Sequence, residues 1–194
     1  LMKQFPKGTV LVLILAPLST LDEVWAKEIK RHFFSRRSYT IVHGSVEKRC
    51  RLLNRDYDFY IMNHDGVKIE AVKYILATKH SIKIVIIDEA SAYRNSSSKR
   101  SKAVRSILTP KPFVWAMTGT PTPQGPEDAH GLAKIVKLDY SGSKRAWRDK
   151  VMVQVSMHKF EPVPGGYKEA SRLLQPAIRI KRVAEETFKS EGKV

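Results

Sequence analysis

The chain has 194 residues, a mass of 22.1 kDa and a hydrophobic content of 42 %, enough for one domain with a real core. Its 35 Lys and Arg against 19 Asp and Glu give a formal net charge of +16 and a pI near 10.0, which favours a polyanionic partner, most often nucleic acid. A single cysteine, Cys50, excludes a disulfide framework and a cysteine-rich zinc site and fits a reducing, cytoplasmic setting; no apolar run reaches the roughly 18 residues that span a bilayer, so no membrane partner is expected.

Along the chain, apolar runs alternate with amphipathic segments. Residues 9–17 (TVLVLILAP) read as a strand. Residues 21–33 read as a helix, with Leu21, Val24, Trp25, Ile29 and Phe33 at helical spacing and Ser19 or Thr20 as its cap. Strands are expected at 39–44, 57–63, 82–89 and 113–119. Helices are expected at 45–53, opened by Ser45, and at 70–79, 96–108 and 126–138. Trp25 and Trp115 read as core residues. After about residue 139 the alternation stops, and loops with short helices are expected.

Continuous apolar strands separated by helices imply a parallel sheet covered on both faces, an open doubly wound α/β fold. In such a sheet ligands sit at the carboxyl ends of the strands. The polar and small residues gather there: Pro17, Leu18 and Ser19; His43, Gly44 and Ser45; Asn63 and His64; Asp88 and Glu89; Thr118, Gly119 and Thr120.

Asp88 and Glu89 follow IVII directly. A buried strand that delivers two acids at its carboxyl end matches a Walker B site, where the first acid holds magnesium through water and the second orients or deprotonates the attacking water. The bland reading is an acidic turn after a strand. The histidines have no metal-ligand spacing, and no Gly-x-Ser-x-Gly elbow occurs. Helix starts after Ser19 and Ser45 could take a phosphate, or be plain N-caps. Lys99, Arg100, Lys102, Arg105 and Lys111 form a run with no acid, either a solvated helix face or a surface for DNA phosphates or a second lobe. Arg179, Lys181 and Arg182 are open in the same way.

VIIDEAS (85–91), NSSSKRSKAVRSI (95–107) and FVWAMTGTPTPQGPEDAHGLAKI (113–135) together closely resemble the first motor domain of the Swi/Snf-type ATPases, within the DEAD/DEAH helicase superfamily. LILAPLSTLDEVWAKEI resembles that family's motif Ia, YDFYIMNHDGV its motif Ic region, and LLQPAIRIKR the segment closing the first lobe. The short spacing is most like phage and bacterial members. The resemblance implies a RecA-like (P-loop NTPase) lobe that uses ATP and Mg2+ and moves on DNA, expected to be double-stranded. It implies Asp88 and Glu89 as motif II, with Asp88 on the metal, and Thr118, Gly119 and Thr120 as motif III, coupling the nucleotide to the nucleic-acid side. It also implies contacts to DNA from Pro17, Ser19, His43, Gly44, Ser45, Asn63, His64 and Arg100. Residues 1–138 would form the partial ATP-binding core, and 139–194 the part leading towards a second motor lobe.

The family's phosphate-cradling loop, of Gly-x-Gly-Lys-Thr type, has no match in the 194 residues. LMKQFPKG resembles the end of the helix that follows this loop, so the loop and its strand are expected upstream. In the related fold that strand lies beside the motif III strand, and without it a hydrophobic edge is exposed. The chain alone is therefore expected not to hydrolyse ATP. The alternative is a non-catalytic DNA-binding module that keeps the helicase fold, against which the intact acid pair and Thr-Gly-Thr argue. A restriction-type nuclease finds no Asp…Glu-x-Lys support.

Overall fold

A computed structural model describes residues 11–33, 36–79, 81–108, 112–157 and 159–178. The expectations resting on residues 1–8, Lys111, Arg179, Lys181 and Arg182 lie outside these.

Five strands, β1 (Leu11–Ala16), β2 (Tyr39–Ile41), β3 (Phe59–Asn63), β4 (Ile82–Ile87) and β5 (Phe113–Ala116), form one parallel sheet in the order β2-β3-β1-β4-β5. The chain moves from β1 outward to β2 through α1 (Lys27–Phe33). It then returns through α2 (Val46–Leu53), α3 (Glu70–Thr78) and α4 (Lys99–Ile107) to β3, β4 and β5. Right-handed crossovers in opposite directions lie on opposite faces, so α1 stands alone on one side.

The period-2 alternation divides the strands between two cores. Leu13, Leu15, Tyr60, Met62, Val85 and Ile87 pack under α2, α3, α4 and α5 (Ala129–Val136). Val12, Ile14, Phe59, Ile61 and Ile84 pack against α1 and the π-helical turn Leu21–Ala26 that leads into it. Coverage of this second face is incomplete. A groove of about 470 Å³ remains, lined by Ile84, Ile86, Trp25 and Trp115 among others.

The edge at β5 is open as well. Among the described residues β5 pairs only with β4, and Phe113 is 71 % and Trp115 50 % exposed. Trp115 is therefore not a core residue: among the described residues its strand pairs on one side only, and its side chain lines the incompletely covered groove. Trp25 is only half-buried.

The expected elements are present with trimmed ends. The strand expected over 82–89 stops at Ile87, because Glu89 takes a left-handed conformation (φ 49°) that no strand contains. Ser45 caps α2 by accepting from Lys48 N–H (3.3 Å), and Ser98 caps α4 by accepting from Ser101 N–H (3.1 Å). Neither Ser19 nor Thr20 caps the helix after β1. Residues Leu18–Thr20 form a 3-10 turn that runs straight into the π-helical turn, and the Thr20 hydroxyl donates back to Pro17 O (3.0 Å). Beyond α5, the loops expected after residue 139 contain α6 (Lys144–Val151) and α7 (Gly166–Leu173), and a hairpin of β6 (Met152–Ser156) and β7 (Lys159–Pro162). These pack around Trp147, Val151, Met152 and Ala170. The hairpin strands are short and mostly exposed, so they carry little periodic signal.

Candidate active site at the carboxyl edge of the sheet

All five strands point the same way, so the loops singled out above emerge on one edge. Sheet ladders continue one residue past the strands there: Asp88 N–H donates to Leu15 O (2.8 Å), and Met117 N–H to Ile87 O (2.8 Å). This stitches the start of the acid pair to β1, and the segment before Thr118 to β4.

Glu89 is the one described non-glycine residue with positive φ, at φ 49° and ψ 57°. Holding a β-carbon there costs about 1–3 kcal/mol. Three bonds oppose it. Glu89 N–H donates to Asp88 Oδ1 (3.0 Å), Ala90 N–H donates to Met117 O (2.8 Å), and Ala92 N–H donates to Glu89 O (3.1 Å). At this kink the chain leaves the strand direction and enters the 3-10 turn Ala90–Tyr93.

The Glu89 carboxylate is then fixed by two hydroxyls on one oxygen. Thr118 Oγ1 donates to Oε1 at 2.9 Å and Ser91 Oγ donates to it at 2.5 Å. Thr118 Oγ1 in turn accepts from Thr120 N–H (3.3 Å). Sequence residues 29 apart are thus joined by one short side chain. Gly119 is exposed, and a β-carbon there would meet nothing within 4 Å. Asp88 is held differently: besides the Glu89 N–H on Oδ1, its Oδ2 accepts from the Trp25 indole N–H at 3.1 Å.

Two adjacent carboxylates fit the donor set of Mg2+, which keeps several waters and takes one or two protein carboxylates together with substrate phosphates. Among the described residues no group of three or more His, Cys, Asp or Glu could form an all-protein cage, and Mg2+ with a nucleotide does not need one.

The remaining loops present different faces. Leu18 and Ser19 are exposed, as are His43, Gly44 and Ser45. The His43, Gly44 and Ser45 loop is tied to Asn63 by Arg49, which is 6 % exposed. Its guanidinium donates to Gly44 O (2.9 Å), Val42 O (2.8 Å) and Asn63 Oδ1 (3.2 Å), and contacts His43 Nδ1 (3.4 Å). Burial lowers the pKa of this guanidinium.

His64, expected at a nucleic-acid surface, instead lies inside. It is 8 % exposed, with Nδ1 3.0 Å from the Tyr93 hydroxyl and the two rings edge to face. Burial pushes its pKa down to about 4; the Arg100 charge adds to this, while Asp88 and Asp65 oppose it. The Tyr93 hydroxyl is pushed up by its burial. Arg100 is held by Asp65, its Nε and Nη2 both on Oδ1 at 3.0 and 2.6 Å, and this pairing lowers the Asp65 pKa. Around the Asp65–Arg100 pair lies an open cleft of about 490 Å³ in which five cations, Lys68, Arg94, Lys99, Arg100 and Lys144, outnumber three carboxylates.

Trp25, Ser91, Arg49 and Asp65 were not legible as site residues. Trp25 shares the apolar spacing of its helix, and Arg49 reads as one more base among solvated ones. Only Ser91, two residues after Glu89, had a local signal.

A family model described as the SNF2-related domain matches residues 2–188. The chain belongs to the SNF2-related domain family. It is 24 % identical over 94 % of its length to transcription termination factor 2 of Drosophila melanogaster, and 27 % identical over 93 % to the helicase-like transcription factor of Homo sapiens. An uncharacterized ATP-dependent helicase of Bacillus subtilis, YqhH, is 25 % identical over 72 %. The chain spans only 16 %, 17 % and 23 % of these proteins' lengths. The fold matches the Sulfolobus solfataricus SWI2/SNF2 ATPase core in complex with dsDNA, with a TM-score of 0.60 and 24 % identity, over 74 % of this chain and 28 % of that one. The five-stranded sheet and its flanking helices therefore match the fold of that core. No described helix is long and apolar enough to cross a membrane.

Proposed function

We propose that this SNF2-related domain is the acid-bearing part of an ATP-hydrolysing motor lobe that moves on duplex DNA. The observation that carries the reading is the Thr118–Glu89 hydrogen bond beside Asp88, on the edge where all five strands end. In this reading Asp88 holds a magnesium ion through water. Such an ion would supply positive charge to offset that of the ATP phosphates. Glu89 orients the attacking water and takes its proton, at the kink where the chain leaves the strand direction. Thr118, bonded to Glu89, carries the state of that carboxylate into the loop of Gly119 and Thr120.

The exposed loops at Pro17 and Ser19 and at His43, Gly44 and Ser45 would meet the DNA backbone, with Asn63 behind the second. His64 would act from within, through Tyr93 and the Asp65–Arg100 pair. The net charge of +16 and the cation-rich cleft favour a polyanion and imply affinity that falls steeply with salt. A second motor lobe would close over the nucleotide. Residues 139–194 would lead towards it, and residues 1–138 would form the core.

The reading requires a phosphate loop, and the 194 residues contain none. The open edge of β5 suits its strand. A strand beyond β5 connected to β1 would travel in the same direction as β1 to β2. By the right-handed rule its helix would then lie on the α1 face, over the groove at Ile84, Ile86 and Trp115. A second reading is a DNA-binding module that keeps the fold without catalysis. One experiment separates them. In a longer chain carrying a phosphate loop, Glu89→Gln lowers DNA-stimulated hydrolysis about 100-fold or more while ATP binding persists. Hydrolysis that survives Glu89→Gln removes Glu89 from the mechanism, and ATPase activity in the 194-residue chain alone refutes the need for the loop.

A further inference from the structure

We propose that Trp25 is a positioning residue for the Asp88 carboxylate, through the indole N–H, so that a divalent cation at Asp88 depends on the helix that follows β1. The inference rests on the reading of Asp88 as the metal-holding acid.

Three observations carry it. First, the Trp25 Nε1–H to Asp88 Oδ2 bond (3.1 Å) spans 63 residues and joins the two elements that leave β1 and β4 side by side. Second, the Asp88 carboxylate has two described donors, one on each oxygen: the Glu89 backbone N–H on Oδ1 and the indole on Oδ2. The first sits in the same loop and turns with it. The second comes from a separate element and stops rotation of the carboxylate about its own axis. Third, Trp25 lies within the π-helical turn Leu21–Ala26, where the wider winding changes which side chain faces the sheet. A π turn in a short helix gives up regular hydrogen bonding, and here it coincides with the residue that reaches Asp88.

The other tryptophans differ. Trp147 donates to a backbone carbonyl, Pro126 O at 3.2 Å, inside a small apolar cluster, while Trp115 is half exposed on the sheet edge. A tryptophan serving only as packing needs no carboxylate. A donor outside the metal's own ligands fixes the orientation of a ligating group, and its loss typically weakens metal binding 10- to 100-fold. The Pro17 to Thr20 loop leads directly into the Trp25 turn, so a shift of that loop would reach Asp88 through one side chain.

The test uses the 194-residue chain and Mn2+ alone, with binding read from water-proton relaxation. Two changes are made at Trp25: Trp25→Phe, and replacement by β-(3-benzothienyl)alanine, which keeps the ring shape and puts sulfur in place of the N–H. A 15N-labelled sample reports the indole N–H signals, that of Trp25 being the one lost in Trp25→Phe. The expected result is that Asp88→Asn shifts the Trp25 indole signal and leaves the other two in place, and that both Trp25 changes weaken Mn2+ about 10-fold. The benzothienyl protein should melt with the unmodified chain, so that lost packing cannot explain the effect. If the benzothienyl protein binds Mn2+ as the unmodified chain does while Asp88→Asn weakens it, Trp25 is packing and the proposal is overturned. If Asp88→Asn leaves Mn2+ affinity unchanged, the reading of Asp88 as the metal acid fails, and the proposal falls with it.

Discussion

Gly131 lies in α5 where the helix passes against the backbone that follows the acid pair. A β-carbon there would stand 1.9 Å from Arg94 O, 2.3 Å from Arg94 C and 2.6 Å from Tyr93 O. Carbon–oxygen contacts settle at about 3.3 Å or beyond, so Gly131→Ala forces α5 and the turn at Tyr93 and Arg94 apart by more than about 1 Å. Two effects oppose each other. Alanine is favoured over glycine inside a helix by about 1 kcal/mol. Overpacking costs about 1–3 kcal/mol or more, and here the obstacle is backbone, which has no other rotamer to adopt. The displaced turn also carries the Ser101 Oγ to Tyr93 O bond (3.2 Å) and follows directly from Glu89. The clash therefore wins, and a net loss of about 2 kcal/mol is expected. With a urea slope of about 1–3 kcal/mol/M, the unfolding midpoint falls by about 1 M. Gly119→Ala, whose β-carbon meets nothing, serves as the control and should stay within about 0.5 kcal/mol of the parent. A Gly131→Ala midpoint equal to or above the parent's would refute the close approach of α5 to the turn.

The depressed pKa of His64, about 4 against 6.5 unfolded, makes stability pH-dependent. As pH falls through 6.5 the unfolded chain takes up the proton first, while the folded chain resists until about 4. Stability is full above 6.5 and declines between 6.5 and 4 by about 3 kcal/mol. His64→Phe should flatten the melting-temperature profile across that window, and identical slopes would count against a buried neutral imidazole. Arg49→Met removes three donated hydrogen bonds and strands the carbonyls of Val42 and Gly44, which should cost roughly 2–4 kcal/mol in urea unfolding. Arg49→Lys should not restore it, because one ammonium cannot span the same acceptors; full recovery by Lys would contradict the forked geometry.

Much of this was legible in the sequence because the signals are local. Apolar runs of six to nine residues bounded by turn residues pointed to the five strands, and their alternation with helices to a parallel sheet. From that alone, the five polar clusters had to share one edge. Asp88, Glu89 and Thr118 could be singled out because residue type and position after a strand carry their chemistry. The hairpin of β6 and β7 left no comparable mark, since its strands are short and solvated.

What only the tertiary structure decided depends on distances between residues remote in the chain. Spacing placed Trp25 on an apolar face, but the π-helical turn and the pairing of β1 with β4 put its N–H on Asp88. Residue type and position put His64 at a nucleic-acid surface and gave Arg49 no role, yet both side chains are buried in the folded chain. Trp115 reads as core by hydropathy and is half exposed, because burial depends on the neighbour that a strand has and not on the strand itself. The sequence determined which groups end on one edge of the sheet; the fold determined which of them touch, because a side-chain contact depends on register, twist and the winding of a single turn.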